Sequence, residues 1–421
     1  MVSPRNANMK YDVIVIGGGA AGLTAALSAS GRGARVLVLE AANRVGRKIL
    51  ASGNGRCNLA NVGPASYPGG EEFANEVFGQ CPVSRVLDFF HGLGLVTVEE
   101  DGGRVYPGCG QATAVLDVLR SAIERRGITV LCDTPIRRVL PTKWGLRVEA
   151  GQAAFDAASV IAACGGMAGG KLGHDGGAYK LLTDLGHTLT PVKPALSPLM
   201  AEKSAVKGLS GLRLPAILTL CGKTRRPLGQ AFQGEALFTD YGVSGVCAME
   251  LCRSAVEEKE KNGVWPVLYM DFAPMLGLCP RYYGALDKAM SDPARHLEPI
   301  RAFLEERAHT LPQDALLQGM VPRLLAERLK GQTIPELGRS LAAFPVQLTG
   351  VRGFEYAQVT AGGIACREFD PATLQSCLVP GLYAVGEMLD VDGACGGFNL
   401  QFAFASGIVA GEEAVRTTLN L

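Results

Sequence analysis

The fold is decided by the stretch Tyr11-Asp12-Val13-Ile14-Val15-Ile16-Gly17-Gly18-Gly19-Ala20-Ala21-Gly22, which predicts a buried strand that turns through glycines into a helix. The strand part is a continuous apolar run, mostly β-branched, as is typical of a strand covered on both faces. The glycines have the G-x-G-x-x-G spacing, which allows a tight turn, a close approach of backbone to pyrophosphate, and close packing of helix on strand. We therefore expect a nucleotide phosphate at the helix N-terminus, held by Gly17, Gly19, Ala20, Ala21 and Gly22.

The residues that follow supply the context that this motif needs. A small-residue helix, Leu23 to Ser30, leads to an apolar strand, Val36 to Leu39, which ends at Glu40. Glu40 comes 18 residues after Gly22, close to the roughly 20 residues expected for a carboxylate that binds a ribose. This order predicts an α/β fold of Rossmann type with a bound dinucleotide, rather than a glycine turn without a nucleotide.

Length and charge narrow the class of protein. The 421 residues suffice for two or three domains, since domains usually have about 100 to 200 residues. The net charge of +1 favours neither a polyanion nor a membrane surface as partner. No signal sequence is evident after the polar leader Met1 to Met9, and the apolar runs are shorter than the roughly 18 residues of a membrane span. We expect a cytoplasmic protein without a membrane span or a stable nucleic-acid partner, and the oligomeric state stays open.

The cysteines and histidines do not predict a metal site. Twelve cysteines are scattered from Cys57 to Cys395 without a C-x-x-C pair, which favours reduced, mostly buried thiols. The five histidines form no ligand pattern either. We expect His296 and His309, which lie among Glu and Arg residues, at the surface.

A glycine-rich loop with four cations follows Glu40 and extends to Asn58. It is either a solvated basic loop, a nucleic-acid patch, or a loop that crosses the cofactor and donates hydrogen bonds to it. The last interpretation is favoured, because the loop directly follows the nucleotide-binding unit and contains no interleaved aromatic residues. Its candidate cofactor ligands are Arg47, Lys48, Ser52, Gly53 and Asn58.

A second buried strand, Ser159 to Cys164, ends in the glycine run Gly165 to Gly170. No second strand-helix-strand unit with a terminal acid follows it. We therefore favour a loop that passes over the first nucleotide, with Cys164, Gly165 and Gly166 near the cofactor. A direct nicotinamide site is the alternative.

The composition changes at Pro191, after which prolines separate short extended segments. We predict a dinucleotide-binding domain from residues 1–190 plus 351–421, an inserted β-rich domain at 191–275, and a mainly helical cap domain at 276–350. Within the insertion, the turn around Tyr241 places hydroxyls and carboxylates directly before a helix. This turn either faces the active site or caps the helix.

The C-terminal segment returns to the opening fold. Another buried strand, Gly381 to Val385, ends at Gly386 and Glu387, and a glycine-rich segment then leads into a small-residue helix, Phe402 to Ala414. The pattern predicts a carboxylate near a ribityl or phosphate group, and a helix N-terminus that faces a ring which becomes anionic on reduction.

Several separate motifs resemble the HI0933-like family of NAD(P)/FAD-dependent flavoproteins, which includes aminoacetone oxidase and the bile-acid flavoprotein BaiN. The resemblance covers essentially the whole chain. The motifs are Arg47-Lys48, Ser52-Gly53-Asn54-Gly55-Arg56-Cys57-Asn58, Leu237 to Gly245, Gln358-Val359-Thr360-Ala361-Gly362-Gly363, Gly386 to Gly393, and Gly396-Gly397-Phe398-Asn399-Leu400-Gln401.

The resemblance implies FAD, a two-dinucleotide-binding-type domain, an inserted β-rich domain and a helical domain. It assigns the glycine turn to the pyrophosphate, Glu40 to the adenosine ribose, and Gly386 with Glu387 to the flavin side. It places the segment Gly397, Asn399, Leu400 and Gln401 at the isoalloxazine. Cys164 stands where related flavoproteins often have a threonine, so the glycine backbone rather than a hydroxyl is expected to contact the cofactor there.

The leading functional hypothesis is the reduction of a carbonyl-conjugated C=C bond, in a steroid or bile-acid-like small molecule, with NAD(P)H as transient electron donor. Tyr241 is the candidate proton donor, and packing at the helix entrance is its alternative role. The second hypothesis is oxygen-dependent amine oxidation of the aminoacetone oxidase type. The third is a flavin-carrying protein that binds RNA or another partner, suggested by the cations between Arg44 and Arg56.

Overall fold

The structure is a computed structural model that describes residues 11–288 and 291–419, and the predicted leader Met1 to Met9 lies outside them. The chain forms two compact units. The first, here called the nucleotide unit, contains the residues up to Lys193 and those from Val359 onward. The second, the insertion unit, is Pro194–Gln358. The further division of the insertion into a β-rich and a helical domain stays a prediction.

Twenty strands are assigned in the described residues. They are β1 (Val13–Ile16), β2 (Val36–Leu39), β3 (Ala60–Asn61), β4 (Thr97–Glu100), β5 (Arg104–Pro107), β6 (Thr129–Leu131), β7 (Arg138–Thr142), β8 (Gly145–Ala150), β9 (Ala153–Ala157), β10 (Ser159–Ala162), β11 (Lys193–Ala195), β12 (Leu199–Ala201), β13 (Arg213–Cys221), β14 (Phe232–Phe238), β15 (Gly242–Ser244), β16 (Val267–Asp271), β17 (Gly284–Ala285), β18 (Phe344–Val351), β19 (Val359–Ala361) and β20 (Leu382–Ala384).

The same residues contain fourteen α-helices. They are α1 (Ala20–Gly31), α2 (Arg47–Ala51), α3 (Glu71–Gln80), α4 (Val83–Gly92), α5 (Ala112–Arg125), α6 (Lys180–Thr183), α7 (Lys203–Val206), α8 (Val246–Met249), α9 (Cys252–Asn262), α10 (Ala273–Leu276), α11 (Leu297–Ala308), α12 (Arg323–Arg328), α13 (Ile334–Ala342) and α14 (Phe398–Leu419).

The core of the nucleotide unit is a five-stranded parallel sheet in the order β20-β10-β1-β2-β6. Every residue of β1, β2, β10 and β20 is buried, as their continuous apolar sequences predict. The carboxyl ends of parallel strands lie at one edge of a sheet, where such folds bind their ligands. This arrangement confirms the predicted Rossmann-like α/β fold, and it brings the ends of β1, β2, β10 and β20 to the same edge.

Two helices pack on one another through glycines in this unit. A Cβ added at Gly407 or Gly411 of α14 would collide with the backbone oxygen of Ala21 or Ala25 of α1. Glycine is therefore required at these two positions for the helices to approach so closely. Helix α14 begins four residues earlier and ends five residues later than the predicted Phe402 to Ala414.

An ion pair fastens the start of β1 to the start of β2. Both oxygens of the Asp12 carboxylate accept hydrogen bonds from the Arg35 guanidinium, at 3.0 Å from Nε and 2.8 Å from Nη2. Oδ2 also accepts the Arg35 backbone N–H at 2.8 Å. Burial raises the pKa of Asp12, but the hydrogen bonds from Arg35 outweigh burial and hold it below its usual value.

Two smaller sheets of the nucleotide unit are antiparallel. Strands β7, β8 and β9 form a three-stranded meander. Strands β3, β5 and β4 form a second three-stranded sheet, with β5 in the middle. All twelve cysteines of the chain are free thiols.

The insertion unit is built on a seven-stranded antiparallel sheet, β13-β16-β18-β12-β15-β14-β17, with β13 also paired to β14. Its apolar face shares a single core with helices α11, α12 and α13.

His296 is buried in this unit, with 8% exposure, whereas the sequence predicted it at the surface. Its Nδ1 lies 2.6 Å from Oδ2 of Asp271, at the end of β16. The prediction of a surface site was wrong because the carboxylate that pairs with His296 is 25 residues away in sequence; His309 is exposed as expected.

Candidate cofactor site

The glycine turn after β1 is shaped by three different spatial requirements. Gly17 has φ +106°, and a Cβ there would collide with the Ala163 carbonyl. A Cβ on Gly22 would collide with the Gly17 carbonyl. A Cβ on Gly19, by contrast, would meet no atom within 4 Å. Gly17 and Gly22 therefore build the turn, whereas Gly19 borders open space.

The open space at Gly19 lies at the N-terminus of α1. Gly19 caps this twelve-residue helix without a side-chain hydrogen bond, and the first turn carries no acidic residue. The first backbone N–H groups of a helix have no acceptor within it, and they are donors for an anion. Ala20, Ala21 and Gly22 provide these donors, and their contact with a cofactor phosphate stays a prediction.

Glu40 lies at the end of β2 beside the same turn. Its Oε2 accepts the Gly18 N–H at 2.7 Å, and its Oε1 accepts the Ala42 N–H at 2.7 Å. Each carboxylate oxygen has two lone pairs, so both oxygens retain the capacity to accept a hydroxyl. The carboxylate is thereby held in a fixed orientation next to the phosphate-binding turn.

The glycine run after β10 begins at this edge of the sheet too. The Cys164 thiol lies 3.7 Å from the Ile16 carbonyl oxygen, and burial raises its pKa to about 12. It is therefore a neutral thiol at physiological pH. Gly165 has φ +76° with open space beside it, whereas a Cβ on Gly166 would lie 2.8 Å from Glu387 Oε1.

Glu387, just after β20, connects three segments of the site. Its Oε2 accepts a hydrogen bond from Lys48 Nζ at 2.6 Å, and its Oε1 accepts the Thr360 N–H at 2.8 Å. The Thr360 hydroxyl in turn accepts the Ala168 N–H at 3.0 Å. The structure thus brings together Lys48 and Glu387, which the sequence predicts as separate cofactor ligands 339 residues apart.

The start of α14 presents backbone donors rather than side chains. Asn399 Oδ1 accepts the Gly393 N–H at 2.8 Å, and Gln401 Oε1 accepts the Asn61 N–H at 2.8 Å. These side chains hold the preceding loop and β3 in place. The first N–H groups of α14, at Phe398, Asn399 and Leu400, follow Gly397 with φ +104° and are the donors that a helix start leaves for a ligand.

Asn58 provides a further observation at this helix start. Its residue is 9% exposed, and its Oδ1 is buried without a hydrogen-bond partner among the described residues. A Cβ on Gly397 would lie 2.7 Å from this oxygen. Buried polar atoms are rarely left unpaired, because each costs about 1–3 kcal/mol.

The other predicted loop residues have protein partners. Arg47 donates to the Lys171 carbonyl oxygen at 2.9 Å, and the Ser52 hydroxyl donates to the Ile49 carbonyl oxygen at 2.6 Å. Gly53 adopts φ +55° in the turn after α2. These residues shape the loop, and their direct contact with a cofactor stays a prediction.

Two residues of this site were not among the predicted ligands. Thr360 belongs to the motif Gln358 to Gly363, which was the signal that could have identified it. His174 Nε2 is 2.9 Å from the Gly165 carbonyl oxygen, and its Nδ1 accepts the Gly176 N–H at 2.9 Å. Burial lowers the pKa of His174, so a neutral ring holds the glycine loop.

Tyr241 lies in the insertion unit, between β14 and β15. Its half-buried ring is 4.5 Å from the Arg352 guanidinium carbon, and its carbonyl oxygen accepts the Ala201 N–H at 2.9 Å.

The nucleotide unit has the features that binding of a dinucleotide requires. It has open space beside Gly19, two helix starts with backbone donors, a fixed carboxylate at the end of β2 and an unpaired buried oxygen at Asn58. A Rossmann sheet with these features on the edge formed by its strand ends fits a dinucleotide cofactor, as is expected of an FAD-dependent oxidoreductase. The chain belongs to the HI0933-like family, whose Rossmann-domain model matches residues 11–413.

Two relatives are similar over nearly their full length. A 3-dehydro-bile acid delta(4,6)-reductase from Clostridium scindens is 35% identical over 95% of this chain and 98% of its own length. A ribosomal RNA dihydrouridine synthase from Escherichia coli is 26% identical over 96% of this chain and 98% of its own length.

The fold is also similar to that of a 3-ketosteroid delta1-dehydrogenase from Sterolibacterium denitrificans. The two structures have a TM-score of 0.51 and 14% sequence identity, over 96% of this chain and 99% of that one. Among residues 11–288 and 291–419, no helix is both long and apolar enough to cross a membrane.

Proposed function

We propose that the protein reduces a C=C bond conjugated to a carbonyl group, with FAD as cofactor and NAD(P)H as transient electron donor. The observation that carries the proposal is the 35% identity, over 95% of the chain, to a 3-dehydro-bile acid delta(4,6)-reductase. The name of that relative describes a 3-oxo steroid whose double bonds are conjugated to the carbonyl. A steroid or bile-acid-like small molecule is therefore the first candidate substrate.

Bound FAD supplies two-electron transfer between a nicotinamide and an unsaturated carbon. The chain's own residues would hold it along the edge formed by the strand ends of the parallel sheet. Gly17, Gly19, Ala20, Ala21 and Gly22 would bind the pyrophosphate, and Glu40 would accept hydroxyls of the adenosine ribose.

The flavin side of the site would be held by Glu387 and the start of α14. The Lys48–Glu387 pair fixes helix α2 against the end of β20. The first N–H groups of α14 carry the positive end of the helix dipole, which stabilises negative charge close to it. The helix start therefore suits a ring that gains negative charge on reduction.

Reduction of the C=C bond also requires a proton at the carbon next to the carbonyl. Tyr241 is our candidate donor, because its hydroxyl is carried on a half-buried ring with a fixed backbone. The expected role is general-acid catalysis, which typically contributes about 10²–10⁴-fold to a rate.

Uridine in ribosomal RNA is a second candidate substrate. The relative from Escherichia coli is named a ribosomal RNA dihydrouridine synthase, and it matches 96% of this chain. Conversion of uridine to dihydrouridine saturates the C5=C6 bond, which is conjugated to the C4 carbonyl. Both candidates therefore share one bond type, and they differ in the molecule that carries it.

Anaerobic rapid mixing tests the proposal. The holoprotein is reduced with NADH or NADPH, which also measures the coenzyme preference, and is then mixed with 4,6-androstadiene-3,17-dione, 3-oxo-4,6-choladienoic acid or a uridine-containing ribosomal RNA fragment. Reoxidation by at least one conjugated substrate supports the proposal. Failure with all three would overturn it.

Aerobic peroxide measurement separates this activity from amine oxidation. An amine oxidase of the aminoacetone type would release peroxide with aminoacetone and leave the conjugated substrates unchanged. Binding of the RNA fragment is measured in the same series at two salt concentrations, because phosphate contacts weaken steeply with salt.

A further inference from the structure

Arg352 stands out among the cations of the insertion unit because its guanidinium lies between two tyrosine rings. The guanidinium carbon is 4.5 Å from the Tyr241 ring centroid and 3.5 Å from the Tyr356 ring centroid. Stacking on aromatic faces stabilises a guanidinium and restricts its rotamers. The charge is therefore held in one place.

The donors of this guanidinium are unused. Within the described residues its side chain makes no hydrogen bond, and the carboxylate of Glu355, which is 68% exposed, lies 3.9 Å away. Arg213, by contrast, donates to Glu235 at 3.0 Å. The Arg352 side chain is only 22% exposed. A guanidinium has five N–H donors, and burying them without an acceptor is costly. This points to an acceptor on a ligand.

The backbone fixes Arg352 as firmly as the rings do. Its N–H donates to the Pro198 carbonyl oxygen at 2.9 Å, and its own carbonyl oxygen accepts the Ser197 hydroxyl at 2.8 Å. The following turn returns Tyr356 to the guanidinium, since the Tyr356 N–H donates to the Gly353 carbonyl oxygen at 3.0 Å. A group held this rigidly loses little entropy when it binds a ligand.

Two glycines and a methionine lie at one pairing position of the sheet, and one of these glycines is close to Arg352 in sequence. Gly350 of β18 and Gly242 of β15 both pair with Met200 of β12, and Met200 stays half-exposed. Arg352 comes two residues after Gly350, and residues two apart in an extended chain share a face. The Met200 side chain lies against Gly350, with its sulfur 3.6 Å from the Cβ position of that glycine, and it offers a conjugated ring an apolar contact near Arg352.

We propose that Arg352 is a catalytic residue that donates hydrogen bonds to the carbonyl oxygen of the conjugated substrate. This inference rests on the proposed reduction of a carbonyl-conjugated C=C bond. The reduction of such a bond needs a group that stabilises negative charge on the carbonyl oxygen, and Arg352 would be that group. It would act beside Tyr241, the candidate proton donor.

In the proposed reduction of the conjugated C=C bond, atoms and electrons balance. The substrate gains a hydride at the β-carbon, with the reduced flavin as reductant, and the C=C electron pair shifts to form an enolate. The enolate oxygen carries the negative charge, which Arg352 stabilises. The α-carbon then takes a proton from the Tyr241 hydroxyl, which is reprotonated by water. The net change is the addition of H⁻ and H⁺ across the double bond.

Arg352→Gln removes the charge, and Arg352→Lys keeps a cation above the two rings. Arg213→Gln is the matched control, because Arg213 is an exposed arginine of the same unit. Each holoprotein is first compared by thermal unfolding. The probe is 4,6-androstadiene-3,17-dione labelled with ¹³C at the C3 carbonyl, which carries no carboxylate that could bind the guanidinium instead.

Two measurements are made on each variant. Isotope-edited infrared spectra of the probe bound to the oxidised holoprotein report the C3 carbonyl stretch, and anaerobic mixing with reduced holoprotein reports the rate. We expect the wild-type and Arg213→Gln proteins to lower the carbonyl stretch relative to water. Arg352→Gln should lose this shift and slow the reaction by about 10²–10³-fold, as for the loss of one oxyanion donor, and Arg352→Lys should be intermediate in both.

The outcomes separate this inference from the proposed function. If the wild-type protein reduces neither this probe nor the other conjugated substrates, both are overturned. If it reduces the probe and Arg352→Gln does so at the same rate, only the role of Arg352 is overturned. A slowed Arg352→Gln with an unchanged carbonyl stretch would also overturn it, because the arginine would then act elsewhere. If Arg352→Gln does not fold, Arg352→Lys decides by the same two measurements.

Discussion

At the scale of single residues, the three glycines of the motif after β1 have separable roles. A Cβ on Gly22 would collide with the Gly17 carbonyl, whereas a Cβ on Gly19 would enter open space. Gly19 also has an extended backbone, with φ −84° and ψ −165°, which any residue can adopt. The fold therefore does not require a glycine at this position, and we infer that the missing side chain makes room for a ligand.

We expect Gly19→Val to leave the unfolding free energy of the apoprotein within about 0.5 kcal/mol of wild type. The same change should raise the Kd for FAD at least about tenfold, which corresponds to about 1.4 kcal/mol, because the added carbons fill the space for the pyrophosphate. Fluorescence titration with FAD and urea unfolding measure the two quantities. Gly22→Ala is the comparison, and it should destabilise the apoprotein itself. Unchanged FAD affinity in Gly19→Val would contradict the assignment.

Single residues also show what local sequence could and could not predict. The glycine spacing and Glu40 were predictable, because motif geometry is local in sequence. Arg352 and the Asp271–His296 pair were not, because their environments depend on partners brought near by the fold of the insertion unit. The hydrogen bond between Thr360 and Glu387 was not predictable for the same reason, since the two residues are 27 positions apart.

At the scale of elements, the contact between α1 and α14 depends on missing side chains. A Cβ on Gly411 would collide with the Ala25 carbonyl oxygen and lie 2.9 Å from the Ser28 Cβ. Gly79, near the end of α3, has no atom within 4 Å of its Cβ position. The two glycines therefore allow a matched comparison within one unit.

Gly411→Ala should lower the unfolding free energy by about 1–3 kcal/mol, since overpacking forces helices apart. Gly79→Ala should leave it unchanged or raise it by up to about 1 kcal/mol, because alanine is the better helix former. Urea unfolding of both holoproteins measures the difference. Equal stabilities for the two variants would refute the close packing of α1 on α14.

The pairing of β1 with β2 carries a pH dependence. Arg35 holds the pKa of Asp12 below its usual value, so the pair stabilises the fold fully above the unfolded value of about 3.9. This stability is lost as the pH falls through the lower, folded pKa. Asp12→Asn should lower the free energy of unfolding by about 2 kcal/mol at neutral pH. It should also make the decrease of this free energy at acid pH less steep.

Asp156→Asn is the control for this pH dependence. Asp156 pairs with Arg147 at 2.8 Å, but the two side chains are 41% and 48% exposed. Exposed pairs typically contribute about 0–1 kcal/mol. Urea unfolding between about pH 3 and pH 7 compares both variants with wild type. An equally steep acid loss in Asp12→Asn would disprove the role of the Asp12–Arg35 pair.

At the scale of the whole molecule, the parallel sheet could be predicted more fully than the insertion. Strands β1, β2, β10 and β20 are continuous apolar runs whose order follows from the Rossmann pattern. The insertion unit has strands that pair across long distances, such as β16 with β18, and such pairing leaves little local signal. Its seven-stranded sheet and helices α11 to α13 share one core, and the predicted division into a β-rich and a helical domain stays a prediction.

The molecule also shows why the cofactor was easier to predict than the substrate. The residues for FAD lie at the ends of strands whose positions the sequence determines. Substrate recognition, in our account, depends on Arg352 and Tyr241, which come from separate loops of the insertion unit. No motif spacing relates such residues, so the sequence predicted only one of them.

The proposed reaction adds two hydrogens to a carbonyl-conjugated C=C bond. A single anaerobic turnover, with reduced holoprotein in excess over 4,6-androstadiene-3,17-dione, 3-oxo-4,6-choladienoic acid or the uridine-containing RNA fragment, tests it most directly by mass spectrometry of the product. We predict a product with two added hydrogens and one reoxidised flavin for each product molecule. Unchanged substrate in all three reactions, with the flavin still reduced, would contradict the account.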